Sequence, residues 1–113
     1  MEIDDMKYLS RPEELILLAV WKMKEKPYGV NIRNFIMELT GKYWSIGSIY
    51  VPLDRLENKG CLTSRLADPT PERGGKRKRY YELTKEGLEQ LDEIRKIYQT
   101  VWKNMPHISS RKV

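Results

Sequence analysis

The sequence predicts a mainly α fold with one small β-hairpin: three short helices, the hairpin, and then a long C-terminal helix. Three observations predict it. Apolar residues recur three and four positions apart in three separate stretches of the 113-residue chain, and a capped apolar run, Leu15 to Trp21, precedes them. Two short segments, Cys61 to Leu66 and Lys78 to Leu83, carry strand-type residues and flank a loop holding two prolines and two glycines. Gly41 and Gly60 fall where two of the helical patterns stop.

The first helix has a start signal in Ser10, with Glu13 three residues later in capping-box spacing. Pro12 costs little there, because first-turn N–H groups have no intrahelical partner. Leu15 to Trp21 is apolar nearly all round, so burial on more than one side is expected, in part by a second subunit. After the break at Lys26 to Gly29, a second helix follows from Ile32, Phe35, Ile36 and Leu39.

Ile49, Leu53 and Leu56 mark one face of a third helix, with Ser45 as its N-cap and Asp54, Arg55, Asn58 and Lys59 facing outward. Pro52 removes the bond to the Ser48 carbonyl and is expected to bend or loosen that part. Trp44 is expected to pack against the second helix, and Cys61 to behave as a small buried hydrophobe.

Thr84 caps the last helix, whose stripe runs through Leu88, Leu91, Ile94, Tyr98, Val101 or Trp102, and Met105. A small core cannot cover so long a stripe, and a coiled-coil-like partner is the natural solution. The expected organisation is residues 10–83 as one unit, 84–105 as a dimerisation helix of the same compact body, and 1–9 and 106–113 as flexible ends.

The net charge is +5, and Arg73, Lys76, Arg77, Lys78 and Arg79 alone amount to that excess. Charge concentrated at a hairpin tip fits either an ordinary solvated turn or a contact for a polyanionic partner, and charge alone leaves DNA, RNA and acidic membrane surfaces open. The one cysteine allows no intrachain disulfide and fits a reducing cytoplasm. The first residues show no signal-peptide pattern, and the longest apolar run, seven residues, is too short to span a membrane. There is no Gly-rich phosphate loop in a strand-to-helix context, no metal-spaced His/Cys set, and only one histidine, His107. Neither an enzyme nor a cofactor is expected.

Three helices followed by a two-stranded hairpin is the order of a winged helix-turn-helix. Its third helix enters the major groove of duplex DNA, and its hairpin, the wing, lies alongside. The basic cluster then sits where a wing meets phosphates, a contact that gains affinity by counterion release.

The chain resembles a short-form PadR-type transcriptional regulator. The resemblance rests on "ELILLAV" in the first helix, Tyr28–Gly29, "SIGSIYVPLDRLENKG" from Ser45 to Gly60, "GGKRKRYYELT" from Gly74 to Thr84, and Gly87. The family often has His-Gly-Tyr-Glu where this chain has Tyr28 to Asn31, and Pro directly after the recognition-helix Tyr, where this chain has Val51. The resemblance implies that Ser45, Gly47, Ser48 and Tyr50 present the recognition helix to DNA. It implies a homodimer through the first and last helices. It also implies a cavity between paired last helices for a flat aromatic compound, with Trp21, Tyr98 and Trp102 as candidate walls.

Two functions follow as expectations. One is a homodimeric DNA-binding repressor acting on an imperfect palindrome and modulated by a small planar hydrophobic effector. The other is a winged-helix module for protein assembly, its wing on an acidic protein surface. Wing composition favours the first.

Overall fold

The computed structural model describes residues 8–69 and 77–110. Arg73 and Lys76 of the basic cluster lie outside the described residues. In chain order the elements are α1 (Arg11–Lys22), α2 (Gly29–Thr40), α3 (Gly47–Asn58), β1 (Leu62–Leu66), β2 (Arg79–Leu83) and α4 (Lys85–Trp102). One turn of 3-10 helix, Ile108–Ser110, follows. The mainly α class with one hairpin is as the sequence predicts.

Capping explains where the helices begin. At α1 the Ser10 hydroxyl accepts from the Glu13 N–H at 3.3 Å, while Glu13 Oε1 accepts from the Ser10 N–H at 2.7 Å. This is the reciprocal box the spacing predicts. Glu13 is 1 % exposed and also forms a 2.7 Å ion pair with Lys59, whose ammonium donates to the Tyr8 carbonyl as well. Lys59, expected on the outward face of α3, therefore turns back to neutralise a buried carboxylate.

The start of α3 differs slightly from expectation. Its cap position falls on Ile46, already in helical conformation, yet Ser45 Oγ accepts the Ser48 N–H at 3.2 Å. Ser45 thus supplies the capping bond one residue before the formal cap. Pro52 neither ends nor splits α3, which runs unbroken to Asn58 with the proline buried against the core. One missing bond near a helix start is tolerated when the ring gains burial. Both α2 and α3 stop at left-handed glycines, Gly41 and Gly60.

The core is centred on α1, which packs on α2, α3, α4 and β2. Ile16, Leu17, Ile32, Ile36, Ile49, Leu53, Leu56 and Cys61 are fully enclosed. Trp44, Phe35 and Leu83 lean against this cluster from outside.

β1 and β2 pair antiparallel from Leu62 opposite Leu83 to Leu66 opposite Arg79. The Tyr81 N–H donates to the Pro27 carbonyl at 2.9 Å, and Tyr28 forms an isolated bridge with Tyr80. The segment leading into α2 therefore adds a short third rung to the hairpin. At the other end, the Thr84 hydroxyl donates to the Gly60 carbonyl and accepts from the Gly87 N–H. A β-carbon on Gly87 would collide with the Cys61 carbonyl oxygen, so only glycine lets α4 begin this close to β1.

Helix α4 ends at Trp102, earlier than the expected 105, and Asn104 takes a positive φ of 63° just beyond it. Asparagine is among the few residues that accept that conformation cheaply. Met105 therefore lies outside the stripe. No helix among the described residues is long and apolar enough to cross a membrane.

Candidate nucleic-acid interface

Burial of Ile49, Pro52, Leu53 and Leu56 fixes the orientation of α3. Gly47, Ser48, Tyr50, Val51, Asp54, Arg55 and Asn58 are consequently exposed, and so is Ser45 before them. The four residues predicted to present this helix, Ser45, Gly47, Ser48 and Tyr50, all lie at its N-terminal end. Ser48 Oγ donates to the Ser45 carbonyl at 2.8 Å, so both hydroxyls serve the first turn while staying open to solvent.

The wing base stands beside this end of α3. Tyr28, Gly29, Tyr50, Asp54, Leu66, Arg77, Lys78, Arg79 and Tyr81 line one cleft. The structure thus brings Tyr50 together with the three predicted cations that are described. Each cation is held. Arg77 Nε donates to the Ala67 carbonyl at 2.7 Å, Lys78 Nζ sits 4.2 Å from the centre of the Tyr28 ring, and Arg79 Nη1 donates to Ser64 Oγ at 3.0 Å. The Tyr28 ring meets that of Tyr80 edge to face at 5.9 Å, and Lys26 lies over Tyr80. Cations and aromatic faces alternate across the base of the wing, which orders it without neutralising it.

The Tyr50 ring packs on the backbone of Gly29 at the start of α2. Tyr81 is nearly buried behind this cleft. Burial first, and then the negative charges of Glu57 and Asp54, push its phenol up to about 12.

The turn between α2 and α3 carries a contact that the sequence pattern does not reveal. The Arg33 guanidinium lies over the Tyr43 ring and donates to the Trp44 carbonyl and to Asn34 Oδ1. Tyr43 is 76 % exposed at the edge of this turn. An arginine eleven residues from its partner leaves no periodic signal. The run Lys42-Tyr43-Trp44 between two helices was the only clue.

The second predicted site, on α1 and α4, is distributed differently from expectation. Leu91 is 9 % exposed and belongs to the protomer's own core. Leu88, Tyr98, Val101 and Trp102 are exposed, and Ile94 is half-buried. A groove formed by Leu18, Trp21, Leu88, Leu91, Asp92, Ile94 and Arg95 contains one of the three predicted aromatics, Trp21. Tyr98 and Trp102 lie further along α4 and do not line it. The Tyr98 hydroxyl donates to Glu14 Oε1 at 2.9 Å, a bond that raises the phenol's pKa and ties α4 to α1.

The transcriptional regulator PadR-like family matches residues 17–93, from the middle of α1 into α4. The chain belongs to this family. Its PadR-like match spans α3, the wing and the α2 leader that braces it. The chain is similar to the PadR-like transcriptional regulator of Bacillus cereus strain ATCC 14579, with 25 % identity over 88 % of this chain and 92 % of that one, at a TM-score of 0.69. It is similar to a PadR family transcriptional regulator of Eggerthella lenta DSM 2243, with 26 % identity over 77 % and 73 % and a TM-score of 0.62. A PadR family transcription regulator of Clostridium difficile R20291 shares the fold at a TM-score of 0.67, with 24 % identity over 83 % and 93 %. No curated protein sequence matches the chain. PadR-like regulators are not enzymes, and among the described residues no cluster of His, Cys, Asp and Glu could hold a metal ion.

Proposed function

We propose that this PadR-like regulator binds duplex DNA as a homodimer and acts as a repressor. The observation that carries this reading is the shared cleft of Tyr50 on α3 and Arg77, Lys78 and Arg79 on the wing. A helix end rich in small residues and hydroxyls can approach the major groove, while adjacent cations meet phosphates. Fixing Lys78 on Tyr28 and Arg79 on Ser64 reduces the side-chain entropy lost on binding.

Dimerisation through α1 and α4 is supported by the exposed Leu18, Trp21, Leu88, Val101 and Trp102. Two-fold pairing would set the recognition helices about one DNA turn apart, roughly 34 Å, and the operator would be an imperfect palindrome. A planar apolar effector would bind between subunits against Trp21, Tyr98 and Trp102. It could change DNA affinity only through its differential affinity for two subunit spacings, commonly about 1–3 kcal/mol.

Titration of duplexes of random sequence at low salt, followed by selection of preferred sequences, tests this reading. Binding that weakens with salt and enriches a palindrome supports it. A protein that ignores duplex DNA at low salt fits a protein-assembly module instead.

A further inference from the structure

Resting on the DNA-binding reading above, we propose that Asp54 is a specificity-determining residue whose carboxylate accepts a hydrogen bond from the exocyclic amino group of a cytosine in the major groove.

The placement comes from helix geometry. The buried positions of α3 are Ile49, Pro52, Leu53 and Leu56. With about 100° between successive residues, the direction opposite to them falls on Gly47, Val51, Asp54 and Asn58. All four are exposed, and they form the outermost ridge of the helix. Ser48 and Arg55 lie on one flank of this ridge and Tyr50 on the other, beside the wing.

The ridge differs in chemistry from the wing, although Asp54 borders the cleft that the wing cations line. The ridge carries no cation: a glycine, an apolar valine, a carboxylate and an amide follow one another at three- and four-residue steps. The cations stand to the side, on the wing base and at Arg55. Phosphates are met by cations and by hydroxyl, amide and backbone N–H donors, whereas base edges are read by arginine and lysine on guanine, amides on adenine, carboxylates on cytosine and apolar groups on the thymine methyl.

Two acids on α3 show why Asp54 is the one available. Glu57 Oε2 accepts from Ser64 Oγ at 2.8 Å, in a chain that continues to Arg79, so it is committed to holding α3 against the wing. Asp54 lines the cleft with Arg77, Lys78 and Arg79, yet it forms no hydrogen bond or ion pair among the described residues.

A carboxylate on a ridge turned toward a polyanion opposes binding to every sequence. The wing cations bordering the same cleft offset part of that cost for every sequence, and a donor on a base edge offsets it further only where the sequence supplies one. The major groove offers two such donors, the amino groups of adenine and cytosine. Adenine places the acceptor N7 beside its amino group, a pattern that suits an amide and repels a carboxylate. Cytosine presents the amino group without that neighbour, and it is the base that carboxylates recognise. The charge also lowers affinity for generic sequences, which sharpens selection.

The test uses the full chain and its Asp54→Ala and Asp54→Asn variants, each selected against a library of random duplexes. In the duplex preferred by the unmodified protein, cytosines are then replaced one at a time by 2-pyrimidinone deoxynucleoside, which lacks the amino group. At one position per half-site the unmodified protein loses about tenfold in affinity. Asp54→Ala shows no loss there and binds generic duplex at least as tightly, with an unchanged melting temperature because the side chain is exposed. Asp54→Asn shifts the preference at that position toward adenine. If Asp54→Ala selects the same motif at every position, or responds equally to the 2-pyrimidinone substitution, the proposal is overturned while DNA binding stands. Weaker binding of generic duplex by Asp54→Ala also overturns it, and places the carboxylate with the wing cations. A wild-type protein that binds no duplex at low salt overturns both readings.

Discussion

The ring of Tyr50 lies directly on Gly29: a β-carbon at Gly29 would stand 2.7 Å from Tyr50 Cε1 and 2.8 Å from its hydroxyl oxygen. The start of α2 and the start of α3 thus meet through one glycine and one tyrosine, with the wing cations around them. Gly29→Ala should keep the fold, because Tyr50 is partly exposed and can swing aside. The displaced hydroxyl should cost about 1 kcal/mol in DNA affinity, the usual worth of one hydrogen bond. Tyr50→Phe should cost about the same. Since both act on one group, the double variant should lose little more than either alone, and a double-mutant cycle of DNA affinities measures this. Additive losses would mean that the two residues do not act through one hydroxyl.

Neutralising Arg77 and Lys78 together should weaken specific and generic duplexes alike. If each meets one phosphate, the slope of log affinity against log salt falls in magnitude by roughly 2 per protomer. A change confined to the preferred sequence would assign base reading to these side chains. Tyr28→Leu, which removes the ring under Lys78, should weaken binding with a nearly unchanged slope, since the charge remains.

Residues of the apolar stripe on α4 divide between the protomer's own core and the proposed dimer face. Val101 and Trp102 are 65 % and 55 % exposed, so Val101→Glu should leave the protomer folded and abolish pairing. Leu91→Glu should instead unfold the chain, because Leu91 belongs to the enclosed cluster. Sedimentation together with thermal melting distinguishes a folded monomer from lost structure. A dimer that survives Val101→Glu would move the interface elsewhere.

Alkaline stability reports on the cleft behind the wing. The Tyr81 phenol is raised from its ordinary 10.0 to about 12, chiefly by burial. A raised pKa means that the folded state holds this proton more tightly than the unfolded chain. Its contribution is fully present below about pH 10 and is lost as pH rises toward 12. Denaturant unfolding between these values should show falling stability, and Tyr81→Phe should remove part of the fall. Equal slopes in both proteins would contradict the assignment.

Local chemistry was legible in the sequence, and contacts across the chain were not. The Ser10–Glu13 box, the stops at Gly41 and Gly60, and the hairpin limits each arise within a few residues, where spacing carries the signal. Lys59 meeting Glu13 joins α1 to the end of α3, and the Tyr28 bridge to Tyr80 joins the α2 leader to the wing. Neither leaves a periodic trace. Periodicity alone also cannot divide the α4 stripe, because Leu91 and Val101 read the same until α1 is placed over one and not the other. At the candidate interface, the α3 hydroxyls and wing cations were readable as residue types. Their convergence on Gly29 and Tyr28 required the fold.

In the proposed complex a dimer of this chain holds duplex DNA with α3 and the wing together. Fluorescence-anisotropy titration of a selected palindromic duplex across a range of salt concentrations tests it most directly. With Arg77, Lys78 and Arg79 from each of two protomers on phosphates, two protomers should bind each duplex, and the slope of log affinity against log salt should be roughly −5. Binding by a single protomer, a slope near zero, or no binding at low salt would contradict it.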